Sequence, residues 1–538
     1  MGERNPIPAE LDVLVVGAGF TGLYMQLKLR EAGFASHVVE AGSGVGGTWY
    51  WNRYPGARCD IPSVEYSYSF SPELEREWRW SERYAAQDEI LRYLEHVADR
   101  FDLMPGITFD TRVTSARWNE AEANWTVETD LGDTITARFV VLGTGALSRP
   151  KLPDLPGLES FGGDILHTAT WDSSVPLEGK RIAIFGTGSS GIQAIPELAR
   201  VASQLTVFQR TPNYAVPANN RDMSDEEFAA ANATLREDRE AARHSPLGFF
   251  GAPQPGAAKA QSEEARSERF EQQWGAGTAG MLMAYEDLLF DEESNSYAAG
   301  FIRDKIASLV GNPDKVRKMS PDYPLGSRRM CSEIGFYETM ARGDVTLVDV
   351  REDPVVDFAA DEVITEGGRY PADILVLATG FDACVGAIKA IDIHGRDGIS
   401  LRKEWEMGPR CYLGLAVSGF PNLFTVTGPG SPSVLSNVVI SIEQHVEWIV
   451  RCLSDMRERG AATIEADADA EQAWMEHSNE VAHMTLFPRA DSWYKGRTRD
   501  GREVFMPYVG GVGTYRAKCD EIAEAGYQGF ALGEPVTA

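Results

Sequence analysis

Two stretches of the chain repeat one order of apolar and polar positions. Residues 11–16 (LDVLVV) form a short apolar run of the length and β-branched content of a strand buried on both faces. Gly17-Ala-Gly-Phe-Thr-Gly22 follows, then helical spacing over residues 23–30, a stop at Gly33 and a strand pattern at 37–40. Residues 181–185 (RIAIF) open a second copy, with Gly186-Thr-Gly-Ser-Ser-Gly191, a helix through Arg200 and a strand at 205–208. Each copy predicts a strand–glycine turn–helix–strand unit of βαβ length.

Between about residues 219 and 319 this rhythm breaks. Glu-, Ala- and Arg-rich stretches there predict a helical insertion, with a Gly- and Pro-containing loop at 245–261. Strand patterns return at 345–348 and 374–377, the latter ending in Ala378-Thr-Gly-Phe381; a similar run at 139–142 ends in Gly143-Thr-Gly145. The two Thr-Gly turns mark the places where the chain passes from one nucleotide unit to the other. The expected fold is therefore α/β, with two Rossmann-like dinucleotide-binding domains and a helical insertion. The first domain is expected to be discontinuous, 1–150 plus 381–538, with the second at 151–380.

Composition narrows the class of function. With Lys+Arg 51 against Asp+Glu 80, the formal charge of the 538 residues is −29, which disfavours nucleic acid and anionic membranes. Hydrophobic content of 43% and aromatic content of 10% suit a folded, multi-domain protein rather than a disordered one. The six cysteines form no CxxC pair and the eight histidines no HExxH, so neither a metal site nor a redox disulfide is expected. The N-terminus reads as neither a signal peptide nor a myristoylation site, and no uninterrupted apolar run reaches the roughly 18 residues a membrane span needs. A cytoplasmic monomer or small homo-oligomer is expected.

The glycine turns set the first chemical expectations. Gly17, Gly19 and Gly22, with Phe20 and Thr21, would bring backbone amides and a helix N-terminus to a pyrophosphate. Glu40 falls where an acid takes ribose hydroxyls, which suits FAD or NAD and would repel a 2′-phosphate. In the second copy, Thr187, Gly188, Ser189, Ser190 and Gly191 line the turn, and the equivalent of Glu40 is Gln209, followed by Arg210 and Thr211. A neutral side chain beside a guanidinium and a hydroxyl suits the 2′-phosphate of NADPH. Gly46-Gly47-Thr48-Trp49, Trp51, Arg58 and Asp60 supply glycine, aromatic surface and charge in one short stretch, as a flavin ring would use.

At these residues the chain resembles the type I Baeyer–Villiger monooxygenases. The family fingerprint stands here as Phe161, Gly163, His167, Trp171 and Asp172, and a second pattern as Gly46, Gly47, Trp49, Tyr54, Pro55, Gly56 and Asp60. Segments such as GTGSSGIQ, GPGSPSVLSN and ADSWYKG look most like the phenylacetone and steroid monooxygenase branch, with cyclohexanone monooxygenases nearby. The resemblance implies FAD and NADPH, O₂ and a small or medium-sized ketone, and an ester or lactone product formed through a C4a-peroxyflavin. It assigns Arg329 and Asp60 as the catalytic pair, and Arg328, where the family usually has lysine, as a helper of Arg210. It adds Tyr66, Val113 and Val438 to the flavin contacts, and places Trp493 on a mobile loop at about 488–510. It puts Ser433, Val434 and Leu435 at the ketone pocket, and makes His167 a linker residue rather than an acid or base. The alternatives are a flavin-dependent N- or S-oxygenating enzyme and a non-oxygenating FAD/NADP redox sensor.

Overall fold

The computed structural model describes residues 4–533. Two parallel-rich sheets divide the chain. In the first, the strand order is Asp392–His394, Val113–Asn119, Asn124–Thr129, Thr134–Leu142, Glu10–Val16, Ser36–Val39 and Ile107–Thr108, and Leu423–Thr425 also pairs with Thr134–Leu142. The long strand Thr134–Leu142 changes partners along its length. Its first half pairs antiparallel with Asn124–Thr129, and its last residues run parallel to Leu423–Thr425. The second sheet is wholly parallel, in the order Val345–Asp349, Gln204–Gln209, Arg181–Phe185, Ile374–Leu377 and Asp164–His167.

The central strands are apolar because both faces of each sheet are covered; on the second sheet, helices cover one face and the strands Val355–Ala359, Glu362–Thr365 and Arg369–Pro371 lie on the other. Val13, Val15, Val38 and Val141 pack under the helices Phe20–Glu31 and Val438–Arg459. Ile182, Ile184, Val207 and Val376 pack under Ser189–Val201 and helices of the 219–319 stretch. That stretch holds helices Asp225–Arg243, Glu263–Ala276, Thr278–Leu282, Glu292–Val310 and Pro313–Met319. The first opens with a capping box, Ser224 and Glu227 each bonding the other's backbone.

Two antiparallel pieces have no counterpart in the sequence reading: the meander 113–142, of which only 139–142 was expected, and the strands Val355–Ala359, Glu362–Thr365 and Arg369–Pro371. Their strands expose alternate residues, so they lack the continuous apolar run that marks a doubly covered strand. The two chain crossings lie side by side. Lys151 N donates to Gly380 O and Asp382 N to Arg149 O, both at 2.9 Å, and Pro150 bridges Phe381. No helix among the described residues is long and apolar enough to cross a membrane.

Candidate active site

Each glycine turn is pressed against the turn that ends a neighbouring strand. A Cβ on Gly17 (φ +103°) would stand 2.6 Å from Gly143 O, and one on Gly186 (φ +110°) 2.4 Å from Ala378 O. Gly22 and Gly191 lie close over the carbonyls of Gly17 and Gly186, where a Cβ would come within 1.9 Å and 2.1 Å. The first and third glycines of each motif are thus demanded by packing. The second glycines differ from each other: a Cβ on Gly188 would meet nothing within 4 Å, which leaves room above that turn for a ligand, whereas one on Gly19 would stand 3.3 Å from the Gly47 Cα. Gly19 and Gly188 also cap the helices Phe20–Glu31 and Ser189–Val201 without any side-chain bond, so their first N–H groups remain available to an anion. Open cradle, uncapped helices and switch-point position together fit two dinucleotides.

Beside the first turn, Glu40 accepts from Ala18 N at 2.8 Å and Gly42 N at 2.7 Å. Those bonds hold its carboxylate against the glycine loop. Gly46 N donates to Ala18 O, and Gly47 packs on Gly19, a Cβ at Gly19 lying 3.3 Å from the Gly47 Cα. This brings the short helix Thr48–Trp51 onto the turn, with Thr48 exposed. Trp49 Nε1 donates to the Tyr66 hydroxyl at 3.2 Å, and Phe20 meets Tyr66 edge-on at 5.2 Å. Val438 begins the helix Val438–Arg459 behind Asn437 and packs against the same core. Val113 faces the core with Leu14, Val16 and Val39.

Arg58 has an acidic partner in its own domain. Through Nη1 its guanidinium donates to the Glu82 carboxylate and the Tyr84 carbonyl, which pairs its charge within the first domain.

At the second turn, Thr187 Oγ1 lies 3.2 Å from both Gln209 Oε1 and Thr211 O, tying the turn to the strand end. Arg210 is exposed and Arg328 half-buried, and neither has an acidic partner among the described residues. Arg328 lies over the Tyr323 ring at 5.2 Å, its Nε buried without a hydrogen bond. Tyr323 in turn donates to Pro212 O and to Asn213 Oδ1. The two free cations therefore flank one segment, 210–213, at the strand end.

Asp60 and Arg329, 269 positions apart in the chain, form a two-pronged pair: Nε to Oδ2 at 2.8 Å and Nη2 to Oδ1 at 2.7 Å. Arg329 Nη1 donates to Val434 O at 2.7 Å. One N–H on each terminal nitrogen remains unspent. Burial opposes the charge of Arg329, but attraction to Asp60 and the hydrogen bonds overcome it, and its pKa is raised. The neighbouring thiols are inert: burial pushes Cys59 up and Cys331 to about 12. Ser189 lies beside the Cys331 thiol and Ser190 beside the Tyr54 hydroxyl, so the second turn abuts the Asp60–Arg329 pair.

Val434 also belongs to an apolar cluster with Ala482, Phe487, Tyr494 and Phe505, against which Leu435 and Trp493 pack. Ser433 is 2% exposed at φ 44°, its hydroxyl without a partner. Residues 488–510 fold as a hairpin, Lys495–Arg497 against Glu503–Phe505, laid on the 428–431 turn through Gly430 N to Met506 O and Tyr508 N to Ser431 O. His167 sits at the crossings, Nδ1 accepting from Ala169 N and Nε2 3.4 Å from Thr379 Oγ1, and burial lowers its pKa. Its contacts are thus with the backbone and the hydroxyl of the crossing segments.

The family model for pyridine nucleotide-disulphide oxidoreductases matches residues 14–226. A Baeyer–Villiger monooxygenase of Pseudooceanicola batsensis is 40% identical over 97% of this chain and 96% of its own. The chain belongs to the Baeyer–Villiger monooxygenase family. A phenazine N-monooxygenase of Lysobacter antibioticus is also 40% identical, over 97% of both chains. Among solved structures, a steroid monooxygenase bound to NADP superposes with a TM-score of 0.93 at 48% identity, covering 98% of this chain and all of that one. The OTEMO complex with FAD and NADP superposes at 0.94 with 37% identity, covering 97% and 99%. As a Baeyer–Villiger family member the chain has the two-dinucleotide α/β fold expected of it, and it lacks a CxxC pair despite matching a model named for disulphide reduction.

Several contacts that hold this site together carry no signal in the sequence. Gln193 and Tyr54 bond each other, and Tyr323 and Asn213 carry the Arg210–Arg328 patch. Tyr494 follows Trp493 directly, but nothing in its local pattern signals that it feels the charge of Arg329.

Proposed function

We propose that this chain oxidises ketones to esters or lactones, with FAD at the first glycine turn and NADPH at the second. The observation that carries the reading is Arg329 clamped by Asp60 and the Val434 carbonyl, between two uncapped glycine-turn helices. Bound FAD would supply the acceptance of hydride from NADPH and the activation of O₂. Overall, ketone, O₂, NADPH and a proton give ester, NADP⁺ and water.

The chain's own residues bind, orient and exclude water. The amides after Gly19 and Gly188 hold pyrophosphates, and Glu40 takes the flavin-side ribose. Arg210, Thr211 and Arg328 hold the 2′-phosphate; Trp49, Tyr66 and Val438 border the ring. Arg329 presents its unspent N–H groups to the oxygen that attacks the ketone. A guanidinium stabilises negative charge there without surrendering its proton, which a lysine or histidine could do. Asp60 fixes its plane. Ser433, Val434 and Leu435 line the ketone side, and the hairpin with Trp493 covers it.

N-oxygenation is the second reading, favoured by the identity to the phenazine enzyme. It needs an electrophilic oxygen, the opposite polarity from the one a clamped guanidinium promotes. Purified protein supplied with NADPH and O₂ is to be given acetone, cyclopentanone, cyclohexanone, an aryl ketone and phenazine in turn. Ester or lactone matched to NADPH consumed supports the first reading. N-oxide alone supports the second, and hydrogen peroxide alone overturns both.

A further inference from the structure

We infer that Tyr494 is a further catalytic residue, whose hydroxyl donates a hydrogen bond to the ketone oxygen on the opposite side of the reacting carbon from Arg329. This rests on the ketone-oxidising reading above. Tyr494 stands immediately before the hairpin, its carbonyl accepting from Met506 N at 2.8 Å. Its ring is 2% exposed, 4.6 Å from Trp493, 6.2 Å from Phe487 and 6.0 Å from Phe505, and it shares a cluster with Val434. Val434 is the residue whose carbonyl receives Arg329. Tyr494 and Arg329 therefore meet one wall, Tyr494 through the apolar cluster that holds Val434 and Arg329 through a hydrogen bond to the Val434 carbonyl.

The phenol also interacts electrostatically with both Arg329 and Asp60. Yet its hydroxyl donates to no acceptor among the described residues. A buried tyrosine normally finds a partner for its polar end. The charged groups that act on this phenol are Arg329 and Asp60, and its ring shares the cluster of Val434, so we place its hydroxyl on the ketone side of that pair. Burial raises the phenol's pKa, so it stays protonated and remains a donor throughout the working pH range.

The chemistry calls for two separate donors. When the ketone carbon is attacked, negative charge leaves the attacking oxygen and gathers on the carbonyl oxygen. Arg329 serves the first; a fixed neutral donor serves the second, and fixed donors act strongly in a site that excludes water. The proton stays on the phenol throughout, and no bond to Tyr494 forms or breaks.

The test is Tyr494→Phe, which keeps the ring packing and removes only the hydroxyl. The expected result is a fall in kcat for ester formation of about 10²-fold, with KM and anaerobic flavin reduction by NADPH little changed and more hydrogen peroxide per NADPH. A second readout is free of turnover: the infrared band of carbonyl-¹³C cyclohexanone bound to the oxidised holoenzyme. It should lie at lower frequency in wild type than in Tyr494→Phe. Equal kcat and coupling in the two proteins, or one band position in both, overturns the assignment. A loss confined to KM or to thermal stability also overturns it, because packing alone would do that. A wild type that forms ester while Tyr494→Phe matches it sinks the Tyr494 role alone; a wild type that forms none sinks the ketone reading as well.

Discussion

Gln193 joins the two nucleotide units by accepting from the Tyr54 hydroxyl at 2.7 Å and donating to the Arg58 carbonyl at 3.0 Å. It lies on the helix that follows the second glycine turn, whereas Tyr54 and Arg58 belong to the loop that leads to Asp60. Gly56 (φ +82°) lies between them, so close that a Cβ would stand 2.4 Å from Gln193 O. The position of Asp60 is thereby referred to the second unit.

Gln193→Ala removes both bonds and leaves the buried Tyr54 phenol with only Ser190 beside it. It should cost about 1–3 kcal/mol, read as a lower thermal midpoint, and it should slow NADPH-dependent flavin reduction. An unchanged midpoint would show that the seam is held elsewhere.

Arg329→Ala should leave flavin reduction by NADPH intact while ester formation falls about 10²- to 10³-fold, with NADPH oxidation diverted to hydrogen peroxide. Arg329→Lys should recover little, since a lysine cannot meet both Asp60 oxygens and the Val434 carbonyl in one plane. Ester formation at the wild-type rate in Arg329→Ala would remove this residue from the mechanism.

Arg210→Ala should weaken NADPH, and not NADH, by about 10- to 100-fold, the worth of a charge-assisted hydrogen bond. Arg328→Lys should have a smaller effect, because it keeps the charge and loses the fork. Binding titrations of both nucleotides read this directly. An unchanged preference in Arg210→Ala would place the 2′-phosphate elsewhere.

Glu65 links the flavin side to the 245–261 loop: Phe250 N donates to its carboxylate at 2.8 Å, and Asn437 Nδ2 donates to its carbonyl. Burial raises its pKa to about 7, against the lowering pulls of the Phe250 amide, Arg239 and Arg83, while Asp238 raises it. A carboxyl with a raised folded pKa contributes stability in acid that is lost as pH rises from the unfolded value, about 4.3, through the folded one. Wild type should therefore lose roughly 2 kcal/mol across pH 4.5–7 relative to Glu65→Gln, measured as the difference in thermal midpoint. Parallel pH profiles for the two proteins would refute the buried titration.

Legibility followed physical locality. The glycine turns, their flanking strands and helices and Glu40 were readable because turn conformation, burial period and anion binding are properties of adjacent residues. The antiparallel meander 113–142 was not, since its half-exposed strands carry no continuous apolar signal. Arg58 shows the limit from the other side: a cation beside aromatic residues suits a cofactor, but only the fold reveals that Glu82 takes its charge.

The sequence by itself determined two βαβ nucleotide units, a helical insertion within the second and, through its motifs, the family. The tertiary structure alone showed how Asp60 and Arg329, paired by the resemblance, meet two-pronged across 269 positions, that Val434 completes their clamp, and that Tyr494 packs in the cluster of Val434. Local pattern fixes which residues share a turn or a face. It carries no information about which two distant surfaces pack together, because that choice is made by the summed burial and hydrogen bonding of the whole chain.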